Sequence, residues 1–220
     1  MKKLLFLILA FFLVHPICAS AGYIGPAQMD MDYSNPIQGN YYADYDAQIY
    51  YSQLDPTWVN SYEEIFCVEN SLGDSSLTSY DFFTIDNSLT SYGLTQVWAD
   101  ALVKATWFAN WFSTRTNPSD TDKATAQTAI WLTIGFYPGG DYTAANALID
   151  QYNLATDKTA YAGNWLLAVN PSANGGDIRI GQEGQNYLVP NPVPEPATML
   201  LLGAGLIGLA GAGRKKLARK

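Results

Sequence analysis

Histidine is almost absent from this chain, whose only one is His15, near the N-terminus. Without further histidines, the Ser-His-Asp and Cys-His arrangements of nucleophilic enzymes cannot be assembled. Cysteine is nearly as scarce, with only Cys18 and Cys67 in 220 residues. Zinc and copper sites built from His or several Cys are therefore excluded. No Gly-rich strand-to-helix turn indicates a nucleotide site either, so we predict no metal and no other cofactor.

Basic residues are also rare between the two ends. Residues 22–193 contain five basic against nineteen acidic residues, which gives a formal charge of −14. Such a surface repels nucleic acid and anionic membranes, so neither is an expected partner of this region. Oxygen ligands for calcium are present at Asp30, Asp32 and Asn35, and at Asp44 and Asp46. Their spacing does not match a helix-loop-helix calcium loop, and we interpret them as solvated acids.

Residues 1–21 have the three parts of a secretory signal. Lys2 and Lys3 provide the positive start, an apolar run follows from Leu4 to Val14, and an Ala-x-Ala cleavage site ends at Ala21. Cleavage by signal peptidase would remove Cys18, which leaves Cys67 as the one cysteine of the exported chain. We therefore expect residues 22–193 to form a single extracytoplasmic domain.

The C-terminal end has the features of a second targeting signal. Pro194, Glu195 and Pro196 precede an apolar stretch of seventeen residues, 197–213, and a basic tail. That stretch is at the short limit for a transmembrane helix, and the basic tail favours a cytoplasmic end. The order of these parts over residues 194–220 resembles the PEP-CTERM sorting signal. The resemblance implies an exosortase partner that cuts near Pro-Glu-Pro, transient anchoring by the C-terminal helix, and release to the cell surface or an exopolysaccharide matrix.

The body contains strand patterns on both sides of a helical stretch. We predict an α+β domain whose β-strands flank a central block of about three helices. Residues 22–44, rich in Pro, Gly, Asn and Tyr, are predicted to be irregular. The predicted strands cover 47–54, 62–68 and 80–85. Residues 165–169 are predicted to be a buried strand or a helix end, and 178–188 a closing strand or a hairpin. The predicted helices cover 95–112, a segment from Ser119 or Asp120 to about Ile134, and 142–154.

An unpaired cysteine in an exported domain needs a reason, because extracytoplasmic cysteines usually form disulfides. Cys67 ends a predicted strand, and Gln127 shares the apolar face of the second helix with Ile130 and Trp131. A buried amide needs partners, since leaving it unpaired costs about 1–3 kcal/mol. Taken alone, Gln127 is explained by hydrogen bonds to backbone or a place at the edge of the stripe. Taken alone, Cys67 is explained as a small buried apolar group.

Together the two motifs resemble a known family. Phe66-Cys67-Val68 and Gln127-Thr128-Ala129-Ile130-Trp131 are similar to the motifs of Cys-Gln thioester (TQXA) domains of bacterial surface proteins. The resemblance implies a bond between the Cys67 sulfur and the Gln127 carbonyl, formed with loss of ammonia. It also implies covalent attachment, once per molecule, to an amine or hydroxyl on an extracellular polymer or surface. We expect Phe66, Val68, Ile130 and Trp131 to line the pocket around this pair.

Two rival interpretations stay open. In the first, the chain is a non-reactive structural or glycan-binding matrix protein, whose Cys67 is buried or forms an intermolecular disulfide. In the second, it is a secreted glycosidase that works with carboxylates alone, which the lack of histidine does not forbid. We expect no enzyme, because a thioester that reacts once does not turn over.

Overall fold

Six strands close into an antiparallel barrel in this computed structural model, which describes residues 22–34, 44–50, 63–68, 77–170 and 185–191. The order around the barrel is β1-β2-β3-β6-β5-β4. The strands are β1 Tyr23–Ser34, β2 Asp44–Tyr50, β3 Glu63–Cys67, β4 Thr78–Thr84, β5 Trp165–Val169 and β6 Tyr187–Pro190. The α-helices are α1 Gln96–Ser113, α2 Asp120–Thr133 and α3 Thr143–Leu154, with 3₁₀ helices at Asn87–Tyr92 and Ala162–Asn164.

The predicted arrangement of strands flanking a helical block is wrong. Strands from before and after the helices pair with each other, since β3 pairs with β6 and β4 pairs with β5. The first strand closes the sheet by pairing with both β2 and β4. Residues 23–34, predicted to be irregular, are a twelve-residue strand. One barrel therefore replaces two separate groups of strands.

The inside of the barrel is filled by alternate side chains from every strand. In β1, Met29 and Met31 are buried, whereas the residue after Met31, Asp32, is exposed. Four residues that lie opposite one another on adjacent strands also belong to this inner face: Cys67, Tyr187, Ala168 and Phe82. The rings of Tyr80 and Tyr187 meet edge to face on this side, with centroids 5.9 Å apart.

The outer face is apolar where helices cover it. Four residues lie side by side across β3, β6, β5 and β4 and are all buried: Phe66, Leu188, Leu167 and Phe83. Phe66 packs edge to face on Phe112 of α1, with ring centroids 5.7 Å apart. Because a six-stranded barrel has no room for a helix inside, this contact identifies the Phe66 side as the outer face.

Helix α2, which carries Gln127, begins with side-chain hydrogen bonds that cap its first turn. The Ser119 hydroxyl accepts a hydrogen bond from the Asp122 N–H at 3.2 Å, and the Asp122 carboxylate accepts one from the Ser119 N–H at 3.0 Å. This reciprocal pair is a capping box. Arg115 Nε also lies 3.1 Å from Asp122 Oδ1. The Ser119 main-chain N–H first, and then its hydroxyl and the Arg115 guanidinium, lower the pKa of Asp122.

Two compact units divide the chain, Met1–Pro190 and Asn191–Lys220. The first contains the barrel and its helices; of the second, only Asn191 is among the described residues. Within the described part of the chain, no helix has the length and apolar character needed to cross a bilayer. The predicted signal at 1–21 and the predicted transmembrane stretch at 197–213 lie outside the described residues.

Candidate functional site

Cys67 lies where β3 leaves its neighbour β2. The described pairing of β2 with β3 reaches Ile65, which lies opposite Tyr45. On the other side, the Val68 N–H donates to the Asn186 carbonyl at 3.0 Å, next to β6. Since successive backbone groups in a strand point to opposite edges, the N–H and C=O of Cys67 point toward the β2 side.

Gln127 of α2 supplies the partner for both backbone groups. The Cys67 N–H donates to Gln127 Oε1 at 2.9 Å, and Gln127 Nε2 donates to the Cys67 carbonyl at 2.8 Å. One side-chain amide thus makes the pair of hydrogen bonds that an opposing strand residue would make. Gln127 is 1% exposed and Cys67 is fully buried. The two residues predicted as a reactive pair are therefore in direct contact, through the backbone of Cys67 and the side chain of Gln127.

The residues predicted to line the pocket do not all lie on one side of this contact. Strand alternation places the Cys67 side chain on the inner face of the barrel and Phe66 on the outer face. Phe66 packs on Phe112 and on Trp165, whose ring centroid is 5.6 Å away. Val68 and Ile130 belong to the same buried core. Trp131, 5% exposed, packs edge to face on Phe136 at 5.5 Å.

The processing residues predicted from the sequence are outside the described part of the chain. These are Ala21 at the signal-peptide end and Pro194, Glu195 and Pro196 at the sorting signal. The acids considered as calcium ligands include Asp30, Asp32 and Asp46, which lie on the outer face of β1 and β2. Among the described residues, no group of three or more His, Cys, Asp or Glu side chains has the arrangement of a metal site.

Lys123 is a buried neighbour of the Cys67–Gln127 pair and was not among the residues predicted from the sequence. It lies one helical turn before Gln127 on α2 and is only 2% exposed. Its ammonium forms an ion pair with Glu64 of β3. It also lies 4.8 Å from the ring centroid of Phe66 and 5.3 Å from that of Phe112. The four-residue spacing from Gln127 was the available signal, because it places both side chains on one helix face.

A cleft of about 410 Å³ opens beside this ion pair. Glu64 lies on its wall, and its side chain is 46% exposed, so water reaches one end of the pair. Arg115 contributes to another wall and lies over the Trp111 ring at 4.3 Å from the centroid. The remaining lining residues are Glu63, Asn110, Phe112, Ser113, Pro118, Asn164, Trp165 and Pro190.

Comparison with known proteins identifies the sorting signal at the C-terminal end. The model of the PEP-CTERM protein-sorting motif matches residues 192–215, a stretch that includes Pro194-Glu195-Pro196. The chain therefore carries a signal for export and for sorting to the cell surface by an exosortase. No curated protein and no solved structure matches the chain, so the thioester-domain resemblance has no support from a relative.

Proposed function

We propose that the exported domain forms an internal thioester between Cys67 and Gln127 and uses it to attach covalently to an extracellular polymer or surface. The observation that carries the proposal is the double hydrogen bond that holds the Gln127 carboxamide on Cys67. Fixed placement of two reacting groups can be worth about 7–11 kcal/mol of barrier. The amide is held at the backbone of the residue that carries the thiol, and both residues are buried.

Formation of the bond needs no cofactor. The Cys67 sulfur attacks the Gln127 amide carbon, the C–S bond forms, the C–N bond breaks, and the thiol proton leaves with the amine as ammonia. The Cys67 N–H already donates to Gln127 Oε1, which is the oxygen that becomes negative in the tetrahedral intermediate. A donor aimed at that oxygen in a buried site stabilises the developing charge. The burial of both residues also limits hydrolysis.

The product is an acyl donor that reacts once. An amine or hydroxyl on another molecule attacks the Gln127 carbonyl carbon, giving an amide or an ester and returning the Cys67 thiol. Covalent attachment of this kind suits a chain whose sorting signal directs it to the cell surface. It is a single event for each molecule and not enzymatic turnover.

Intact mass of the exported protein tests the proposal. We expect wild type to be lighter by one ammonia than its processed sequence, to gain methylamine at Gln127, and to resist thiol alkylation after denaturation. Cys67→Ser and Gln127→Glu should each abolish the ammonia loss. Gln151→Ala, an exposed glutamine of α3, is the matched control and should behave as wild type. Wild-type protein with the full processed mass and a fully alkylated thiol would contradict the proposal.

The same hydrogen bonds support a second candidate, a non-reactive structural matrix protein. In that case the Gln127 amide only satisfies two buried backbone groups, each of which costs about 1–3 kcal/mol when left unpaired. Gln127→Ala would then lower the free energy of unfolding, while methylamine would leave the mass of wild type unchanged. A disulfide-linked dimer through Cys67 would appear as a doubled mass that reduction returns to one chain.

A further inference from the structure

Lys123 presents a chemical problem that the proposed thioester must solve. Residues four apart on a helix have Cβ atoms about 5–6 Å from each other, within the combined reach of a lysine and a glutamine side chain. Lys123 and Gln127 have this spacing on α2, and both side chains extend toward β3. An amine on the same helix face as an acyl donor can compete with outside nucleophiles for acyl transfer.

We propose that Glu64 restrains Lys123 and so prevents the domain from consuming its own thioester; this inference rests on the proposed function. The Glu64 carboxylate pairs with the Lys123 ammonium, and the Phe66 and Phe112 rings lie within cation–π distance of it. A carboxylate and ring faces stabilise an ammonium, which has no lone pair for attack. The ion pair also directs Nζ toward Glu64, three residues before Cys67 on β3.

The reaction that Glu64 prevents is an acyl shift within α2. The lone pair of a neutral Lys123 Nζ would attack the Gln127 thioester carbonyl carbon. The C–N bond would form, the C–S bond would break, and the sulfur would take the proton released from nitrogen. The products are a Lys123–Gln127 amide inside the helix and a Cys67 thiol. This lactam has the same mass as the thioester, since both are one ammonia lighter than the unreacted chain.

The position of the other lysines makes Lys123 the relevant one in the described domain. Lys104 and Lys158 both lie over the ring of Tyr152, at 4.9 and 5.4 Å from its centroid. Tyr152 belongs to α3, whereas Lys123 shares α2 with Gln127. The Lys123 contacts with β3 and α1 therefore protect the acyl group from the lysine on its own helix.

Glu64→Gln in the full exported chain is the direct test. The variant is expected to keep the ammonia loss, to lose nearly all methylamine incorporation, and to expose a Cys67 thiol that alkylates after denaturation. Peptide mapping should locate an amide between Lys123 and Gln127. The double variant Glu64→Gln/Lys123→Arg has no attacking amine and should recover methylamine incorporation. Lys123→Arg alone should match wild type, because a guanidinium also pairs with Glu64.

The possible results distinguish a failure of the Glu64 restraint from a failure of the proposed thioester on which it rests. Wild type without ammonia loss overturns the thioester itself. Wild type with a thioester, but Glu64→Gln with equal methylamine incorporation and no exposed thiol, overturns only the restraint by Glu64. Glu64→Gln at the full processed mass also overturns it, since the ion pair would then be needed to form the bond. If Glu64→Gln does not fold, Glu64→Asp should show partial lactam, and its absence there has the same meaning.

Discussion

The two halves of the barrel differ in what covers their outer face. On β1 and β2 that face carries polar side chains such as Gln28, Asp32 and Gln48, which are exposed or half-buried. On β5 and β6 nearly every residue is buried, on the outer face as well as on the inner one. The sequence reflects this difference, since β1 alternates between apolar and polar residues while β5 is a continuous apolar run.

The candidate site lies at the boundary between these halves. Strand β3 pairs with β2 of the water-facing half and with β6 of the covered half. At Cys67 the described β2 pairing has ended, and α2 of the cover provides Gln127 in place of a strand. At this boundary a side chain of the helical layer takes the place of a strand residue in the hydrogen-bond ladder.

The largest difference between the halves should appear when one outer-face residue is truncated in each. Phe66→Ala removes ring contacts with Phe112 and Trp165 and leaves a cavity under α1, so we expect a loss of about 3–5 kcal/mol in the free energy of unfolding. Gln28→Ala, on the water-facing half, should change it by less than about 0.5 kcal/mol. Denaturant titration of both variants measures the difference. Similar losses for the two would show that the halves are not distinct.

A smaller effect is expected where the helical cover begins. Ser119→Ala removes one half of the capping box of α2 and should destabilise the domain by about 0.5–2 kcal/mol near pH 7. Ser91→Ala, an exposed serine of the first 3₁₀ helix, is the control and should stay within about 0.5 kcal/mol of wild type. Thermal or denaturant unfolding of the two variants provides the comparison.

The cost of Ser119→Ala should also depend on pH. The folded pKa of Asp122 is lowered, so its contribution is fully present above the ordinary Asp value of about 3.9 and is lost as pH falls through the folded value. We therefore expect the difference in the free energy of unfolding between wild type and Ser119→Ala to become smaller as the pH falls below the ordinary pKa of an Asp side chain. A difference that grows instead would mean that the carboxylate does not support the cap.

The smallest effect belongs to the water-facing half. Asp32 lies directly opposite Asp46 on the outer face, and like charges at this position destabilise an antiparallel pair. Asp32→Lys should raise the free energy of unfolding by about 0.2–1 kcal/mol. Asp150→Lys, on an exposed position of α3, makes the same change in net charge away from the pair. Repulsion between Asp32 and Asp46 explains only the part of the stability gain that exceeds the gain of the Asp150→Lys control. That part should become smaller when salt is added.

The helices could be predicted from the sequence because their signals are local. Apolar residues at three- and four-residue spacing predict α1, and Ser119 with Asp122 indicates the start of α2. Strand pairing is not local, so the closed barrel could not be predicted. β1 was missed because residues 22–44 are rich in Pro, Gly, Asn and Tyr, a composition that favours irregular structure. In the structure Gly25, at φ +142°, lies at a register shift between β1 and β4 instead of ending the strand.

The pair at the candidate site was easier to predict than its surroundings. Cys67 and Gln127 were singled out because a single cysteine in an exported sequence and a glutamine on an apolar helix face are each unusual. Lys123 was not among the predicted site residues, because lysine side chains are almost never fully buried unless they are paired. Its burial depends on Glu64 and Phe66, which lie 59 and 57 residues earlier in the chain and meet it only in the fold.

Closure of the barrel has a consequence for a protein sorted to the outside of a cell. Each of the six described strands has a neighbour on both sides, so this sheet offers no open edge to another molecule. Copies crowded at a surface therefore cannot join by extending one another's sheets, which is the usual route to fibrous aggregates. Contacts that these six strands make with other molecules are therefore contacts of their side chains.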